Sequence, residues 1–306
     1  MKKSAMYWLS VIFVLIGASS YGFVSSIVKL AFAEGYSTAQ VTVSQISVGA
    51  AVLWIMVLLR PHTWRNPFTN GGWKLLFIGI FGLSLTTIFY NSALQQMNAS
   101  LAIILLFQFT WITLVMECVT HRTWPNRYQW LSIFIVLIGT VLAVGITSDN
   151  LERFTFAGII LGLASAITYS LFLYLTGKMK THHDPVMRSA MMMTGTLPVI
   201  YGIYVPFIAG GMALPPDVGH LLLWGLLLGS LSHIIPTVTF NIGIPRIGSS
   251  LASMICAMEL PVVTVVAYVL LHEQVTLLQW LGILLILAGI VIAEQKATRI
   301  TVNNEQ

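Results

Sequence analysis

The sequence predicts an all-α integral membrane protein of ten transmembrane helices, arranged as two inverted-topology five-helix repeats. Three observations carry this. The 306 residues are 57% hydrophobic and 8% charged, whereas soluble domains carry about a quarter charged residues. The apolar residues fall into runs of bilayer-spanning length. The second half of the chain also repeats the first at a fixed offset.

A hydrocarbon core about 30 Å thick needs roughly 20 residues of helix. The first run, 7–31, follows Lys2 and Lys3 as a signal peptide would. It is too long for one and lacks a clear cleavage site, so it reads as a retained span. Runs at 39–59, 72–94, 100–119 and 127–147 complete the first half. Those at 155–176, 186–208, 219–242, 248–270 and 277–293 form the second, followed by a tail at 294–306. The resulting units are 7–147 and 155–293, joined by connections too short for a soluble catalytic domain.

Orientation follows from the basic residues. With the N-terminus in the cytoplasm, thirteen of the fifteen Lys and Arg lie on the cytoplasmic side, leaving only Lys29 and Arg153 opposite. Both termini are therefore expected in the cytoplasm, and the chain in the cytoplasmic membrane. The net charge of +5 forms no basic stripe, so nucleic acid is not an expected partner. Cys118 and Cys256 have neither C-x-x-C nor metal-ligand spacing and read as packing residues. Walker A, H-E-x-x-H and G-x-S-x-G sequences are absent, and no cofactor or metal is expected.

The repeat appears on shifting the chain by 150 residues. YNSALQQMNASLA (90–102) then overlies FNIGIPRIGSSLA (240–252), and QWLSIFIVLIGTVLA (129–143) overlies QWLGILLILAGIVIA (279–293), without a gap. A unit of five helices reverses its second copy in the membrane. That arrangement is found in many secondary transporters, whose substrate sites lie near the midplane between the halves.

Two stretches resemble a known family. SYGFVSSIVKLAFAEG (20–35) is similar to the first-helix pattern, and MELPVVTVVAYVLLHEQVTLLQWLGILLILAGIVIAEQK (258–296) to the ninth and tenth helices, of EamA-type members of the drug/metabolite transporter superfamily. The resemblance implies ten helices around a central pocket, alternating access, and efflux of small metabolites such as amino acids. The family often places Pro directly after its intramembrane Glu; here Leu260 intervenes. The matching first-half positions are Phe109 and Trp111, so the acid occurs in only one half.

Glu259, near the middle of the ninth run, is the leading candidate. A charge there costs roughly 3 kcal/mol or more on insertion scales, which makes such residues functional candidates by default. Helical spacing puts Ser249, Ala252, Cys256 and Glu259 on one face. The acid reads as a contact for a substrate ammonium group, as a proton site, or as a structural acid hydrogen-bonded to a neighbouring helix. His233 is either its partner in a proton-responsive pair or an isolated histidine bonded to a carbonyl freed by Pro236. The same pair supports an alternative reading as an intramembrane enzyme acting on a lipid or peptide.

Gln108, Trp111, Tyr21 and Tyr169 are candidate pocket walls, with ordinary packing as the alternative. Lys29 reads as a snorkelling side chain; the family resemblance adds the role of an outer gate. Asn91 and Asn241 occupy equivalent repeat positions and read as gate or helix-end hydrogen-bonders, chiefly the latter. Proline within runs occurs at Pro198, Pro206, Pro236 and Pro261, all in the second half. Since proline kinks helices, Pro236 and Pro261 are expected hinges, with a stiffer first half. The expected partners are a small-molecule substrate, the lipid bilayer and protons.

Overall fold

A computed structural model describes residues 2–60, 66, 68, 71–97, 99–144, 155–179, 183–209, 217–270, 272 and 275–303. Arg65, Arg153 and Lys180, which entered the charge count, lie outside them. The first half comprises α1 (Lys2–Ala33), α2 (Thr38–Leu58), α3 (Trp73–Ile78), α4 (Leu85–Gln96), α5 (Ala99–Leu106), α6 (Phe109–His121) and α7 (Arg127–Val144). The second comprises α8 (Phe156–Lys178), α9 (Pro185–Ala209), α10 (Val218–Gly229), α11 (Ile235–Ile247), α12 (Ser249–Cys256), α13 (Glu259–Leu270) and α14 (Leu277–Asn303).

Local chemistry starts these helices where the sequence turns polar. Ser37 and Gln40 form a reciprocal capping box on α2, with bonds of 3.2 and 2.9 Å. Asp217 caps α10 by accepting from the Gly219 and His220 amides. Thr155 caps α8 and also donates to the Gln96 carbonyl at 2.8 Å, tying the start of the second half to the end of α4.

Several helices run together end to end. α3 continues into α4 through a π-helical segment, Gly79–Ser84, and α10 into α11 through another, Ser230–Ile234. α5 and α6, like α12 and α13, are separated by two residues of tighter turn. Eight helices of the described residues are long and apolar enough to cross a membrane. Of the ten expected runs, α9 (with Pro198 and Pro206 inside it) and the shorter apolar stretch Leu277–Ala293 fall outside that set. The molecule is a multi-pass membrane protein. Its outward side chains, among them Ile12, Ile16, Phe134, Leu223 and Leu284, are exposed apolar groups suited to lipid.

The irregularities recur at the offset of the sequence repeat. The π-helical segments both end at matching positions, Ser84 and Ile234. Tight turns interrupt the helices at 107–108 and again at 257–258. Left-handed residues terminate them at Arg122 and His272, both with φ of 52°. The packing follows suit: α1 lies on α11 as α8 lies on α4, and α1 on α13 as α8 on α6.

Helix breaks are not confined to the proline-bearing second half. First-half helices break at the same places with Thr86 and Trp111 where the second half has Pro236 and Pro261. Proline is therefore not required for a break at these positions.

α7 and α14, the matching last helices, cross closely. A Cβ on Gly139 would come within 2.8 Å of the Gly282 carbonyl oxygen, and one on Gly282 within 2.3 Å of the Ala143 nitrogen. Ser132 Oγ donates to the Gly289 carbonyl at 2.7 Å across the same contact. Apolar side chains gain nothing by leaving lipid for one another, so such backbone approach and interhelical hydrogen bonding hold the helices together.

Candidate functional site

Glu259 is the first residue of α13, immediately after the tight turn at Ala257 and Met258. Pro261 has no N–H to give Ala257, and the Ala257 carbonyl instead accepts from Leu260 at 3.2 Å. The one-face stripe predicted for 249–259 is therefore broken just before its acid, although Cys256 remains near Glu259. The break places Glu259 at a helix N-terminus, where the helix dipole favours negative charge. Gly22 of α1 packs against this turn: a Cβ there would lie 3.0 Å from the Glu259 carbonyl oxygen and 2.6 Å from Val262. α1 therefore seats directly on the site.

Tyrosines from three further helices lie in the wider neighbourhood of Glu259. Tyr21 of α1, Tyr90 of α4, Tyr169 of α8 and the Cys256 thiol all lie within electrostatic reach of Glu259. Tyr169 and Cys256 act on each other, and both are buried. Behind them rings pack continuously. Phe109 meets Tyr169 edge-on at 4.7 Å, Phe172 stacks on Tyr169 at 5.9 Å, and Phe240 lies 6.4 Å from Phe172 and 6.2 Å from Tyr21.

Glu259, Tyr21 and Tyr90 differ from this floor. Each is enclosed by protein, yet each keeps part of its surface accessible. Among the described residues, none of their three side-chain polar groups has a hydrogen-bond partner. The packing-clamp reading of Glu259 requires such a partner, and the site lacks it. An enclosed carboxylate that is accessible and unpaired can bind a cation or exchange a proton.

The other expected residues separate. His233 does not join Glu259; its Cβ lies 3.6 Å from where a Cβ on Gly49 of α2 would stand, beside Met193 of α9. The π-helical segment that contains His233 adds a residue to its turn, which defeats azimuths counted at ordinary helical spacing. Neither ring nitrogen has a hydrogen bond of ordinary geometry, and the backbone group acting on the ring is Ser232, whose carbonyl Pro236 leaves without its helical donor. The Glu259–His233 pair required by the enzyme reading is not formed. Gln108 and Trp111 do meet, Trp111 Nε1 donating to Gln108 Oε1 at 2.8 Å across the first-half turn.

Asn91 and Asn241 sit inside α4 and α11 rather than at helix ends. Both reach across to α9, Asn91 donating to Tyr204 Oη at 3.1 Å and Asn241 to Ser189 Oγ at 3.1 Å. Lys29 is exposed near the end of α1.

Three polar residues were given no contact or site role from the sequence, one of them (Arg188) being counted only among the cytoplasmic basic residues. Tyr90 is one, and its signal was available: it matches Phe240 in the repeat, and both flank the site. Glu117 is the second; its carboxylate accepts from Ser249 Oγ at 2.8 Å and from the Ser250 amide at 2.5 Å, capping α12 from α6. The third is Arg188, buried in α9, which donates to the carbonyls of Thr176 and Asn241 at 3.3 Å. A shallow apolar groove of about 360 Å³ between α1 and Leu231–Ile235 is not part of the site. It includes the exposed Ile12, Ile16 and Phe23, and its Ser20 already donates to the Leu231 carbonyl. No group of three metal-ligating side chains occurs among the described residues.

The profile of the EamA-like transporter family matches residues 8–145 and 156–294, one copy for each half. The chain belongs to this family. Among curated relatives it is 26% identical over 282 residues to the uncharacterized transporter YcbK of Bacillus subtilis, covering 89% of this chain and 88% of that one. It is 24% identical over 306 residues to the uncharacterized transporter sll1319 of Synechocystis, covering 91% of each. The uncharacterized inner membrane transporter YicL of Salmonella typhimurium is 25% identical over 236 residues, 74% of each chain. A solved crystal structure superposes with a TM-score of 0.72 at 18% identity, covering 97% of this chain and 99% of its own, and shares the fold. The relatives are named as transporters, and Glu259 of the second family unit lies at a turn on which α1 of the first unit packs.

Proposed function

We propose that this transporter exports small metabolites, such as amino acids or related compounds, across the cytoplasmic membrane by alternating access with proton exchange at Glu259. α9 and Leu277–Ala293 complete ten spans, the two halves are inverted in the membrane, and both termini are cytoplasmic. The recurrence of backbone distortions at the sequence offset supports the inverted repeat, since related units that pack alike are what alternating access uses. The single observation that carries the function is the carboxylate of Glu259, partly exposed and without a hydrogen-bond partner among the described residues, at a turn of the second half on which α1 of the first half packs. Tyr21, Tyr90 and Tyr169 surround it, Gln108 and Trp111 form the matching turn of the first half, and Asn91, Asn241 and Lys29 act nearer the faces.

Counterflow in proteoliposomes tests this reading. Saturable exchange of labelled small metabolites, accelerated by an opposing proton gradient and lost in Glu259→Gln, is the expected result. Absence of exchange across a broad panel of amino acids and amines overturns it.

A further inference from the structure

Resting on the alternating-access reading, we infer that Glu117 and Tyr174 latch one end of the molecule shut, so that the chain rests open toward the other end. Places that the 150-residue repeat makes equivalent are packed unequally. α12 packs along α6 and against α8, whereas its counterpart α5 scarcely touches α13 or α1, the counterparts of α6 and α8, among the described residues. Burial follows the same line. All eight residues of α12 are buried, while Ile103, Ile104, Leu105 and Leu106 of α5 are only half-buried. Phe240 and Asn241 of α11 are buried, and their counterparts Tyr90 and Asn91 of α4 are half-buried. The end where α6 and α8 finish and α12 begins is closed; the opposite end is parted.

Polar contacts between the halves hold the closed end. The Glu117 carboxylate of α6 accepts from Ser249 Oγ at 2.8 Å and from the Ser250 amide at 2.5 Å. Near the same end, Thr120 shares a hydrogen bond with Tyr174 Oη of α8. Gly248, at φ of 86°, turns the chain under the carboxylate, whose Oε1 lies 3.3 Å from where a Cβ would stand. Gly177 of α8 admits Ser249 equally closely, its Cβ position 3.3 Å from Ser249 Cβ.

The repeat supplies no such bonds at the parted end. Glu117 is matched there by Ala267, Thr120 by Leu270 and Tyr174 by Val24, none with a polar side chain. Polar contacts at that end do other work. Tyr36 Oη donates to the Asp217 carbonyl and Trp224 Nε1 to Glu34 Oε2, tying α10 to the connection between α1 and α2. Thr155 ties α8 to α4. Neither draws α5 onto α13.

Two related halves can close at either end. A two-state equilibrium follows the contacts that differ between its states, so bonds available at one end alone favour closure there. α12 also runs from this latch to the turn at Ala257 and Met258 that precedes Glu259. Release of the latch therefore frees one end of a short lever whose other end adjoins the candidate site. Under the proposed orientation, the latched end faces the cytoplasm.

Distances between spin labels, read by double electron–electron resonance, test this in the purified full chain in lipid nanodiscs. Cys118→Ser and Cys256→Ala remove the native thiols. Arg122→Cys with Arg246→Cys spans the closed end; the repeat counterpart, Gln96→Cys with His272→Cys, spans the parted end, and all four positions are exposed. The closed-end pair is expected to give the shorter distance. Glu117→Ala adds a population longer at the closed end and shorter at the parted end. The ratio of the two states moves roughly tenfold, as loss of a hydrogen bond to a charged group would move it. Tyr174→Phe shifts both pairs the same way by a few-fold. Ala267→Glu, which gives the parted end the missing acid, also favours closure there. These two variants carry the test should Glu117→Ala not fold.

Equal distances across the two pairs, or distributions unchanged in both Glu117→Ala and Tyr174→Phe, overturn the inference. Counterflow separates it from the reading beneath it. Shifted distances without exchange of any solute sink transport and leave the latch. Exchange with distances unchanged in every variant sinks the latch and leaves the transporter.

Discussion

The two halves of this molecule bend alike and are furnished differently. Each has a π-helical segment, a two-residue break in its fourth run and a left-handed terminator, 150 residues apart. Proline stands at the bends of the second half alone, and so do Glu259 and His233. At the first-half break, Trp111 bonds Gln108, and hydroxyls of the second half use the neighbouring carbonyls: Ser170 donates to Phe109 and Ser253 to Thr110, both at 3.2 Å. At the second-half break the corresponding place holds an unpaired acid. The comparison teaches that distortion belongs to the shared scaffold, while the chemistry was placed on one copy of it. A first-half break sealed by protein groups suits a structural turn; an unsealed one suits a ligand.

Four substitutions would break or sharpen this contrast. Glu259→Gln should have the largest effect, removing the only unsealed charge of the pair of breaks. Transport is expected to fall roughly a hundredfold or more, since breaking a desolvated charge pair costs several kcal/mol; initial counterflow rates check it. Activity near wild type would mean that the second-half break is as structural as the first.

Gly282→Leu comes next, at the crossing of α7 and α14 that joins the halves. A Cβ there meets backbone at 2.3 Å, so the helices must part, and overpacking of this kind costs about 1–3 kcal/mol. The melting temperature in detergent should drop clearly, while Gly202→Leu, with nothing within 4 Å of its Cβ position, should leave it nearly unchanged.

Glu117→Ala tests an asymmetric bond between halves, because the matching residue is Ala267. Loss of the cap on α12 should cost about 1 kcal/mol, read by thermal or denaturant unfolding. Pro261→Ala should do least. The first half breaks at this place without proline, so the turn at 257–258 should persist, with stability within about 1 kcal/mol and transport within a few-fold of wild type. A large loss of transport at normal stability would instead restore Pro261 as a hinge specific to the second half.

Legibility in the sequence differed from residue to residue for physical reasons. Glu259 stood out because an acid in an apolar run is costly wherever the run is placed. Tyr21 and Tyr169 were visible only as equal alternatives, since a tyrosine in a membrane helix faces lipid, core or cavity without altering the pattern around it. Tyr90 was hidden in the same way. The His233 pairing failed because it was argued from a short connection, and a connection limits distance but not azimuth. The π-helical segment then turned the ring toward Gly49 and Met193. The capping role of the two asparagines failed likewise: both sit inside helices and brace α9.

The sequence by itself determined the membrane class, the two-unit organisation and the solitary acid. These depend on composition, run length and repetition, which are properties of the chain before it folds. Only the tertiary structure decided that both halves break alike, that Glu259 heads a helix among three tyrosines, and that its carboxylate is left without a partner. Those outcomes rest on how helices distant in the chain pack and rotate against one another. In lipid that is settled by close backbone approach and a few hydrogen bonds, neither of which leaves a periodic mark in the sequence.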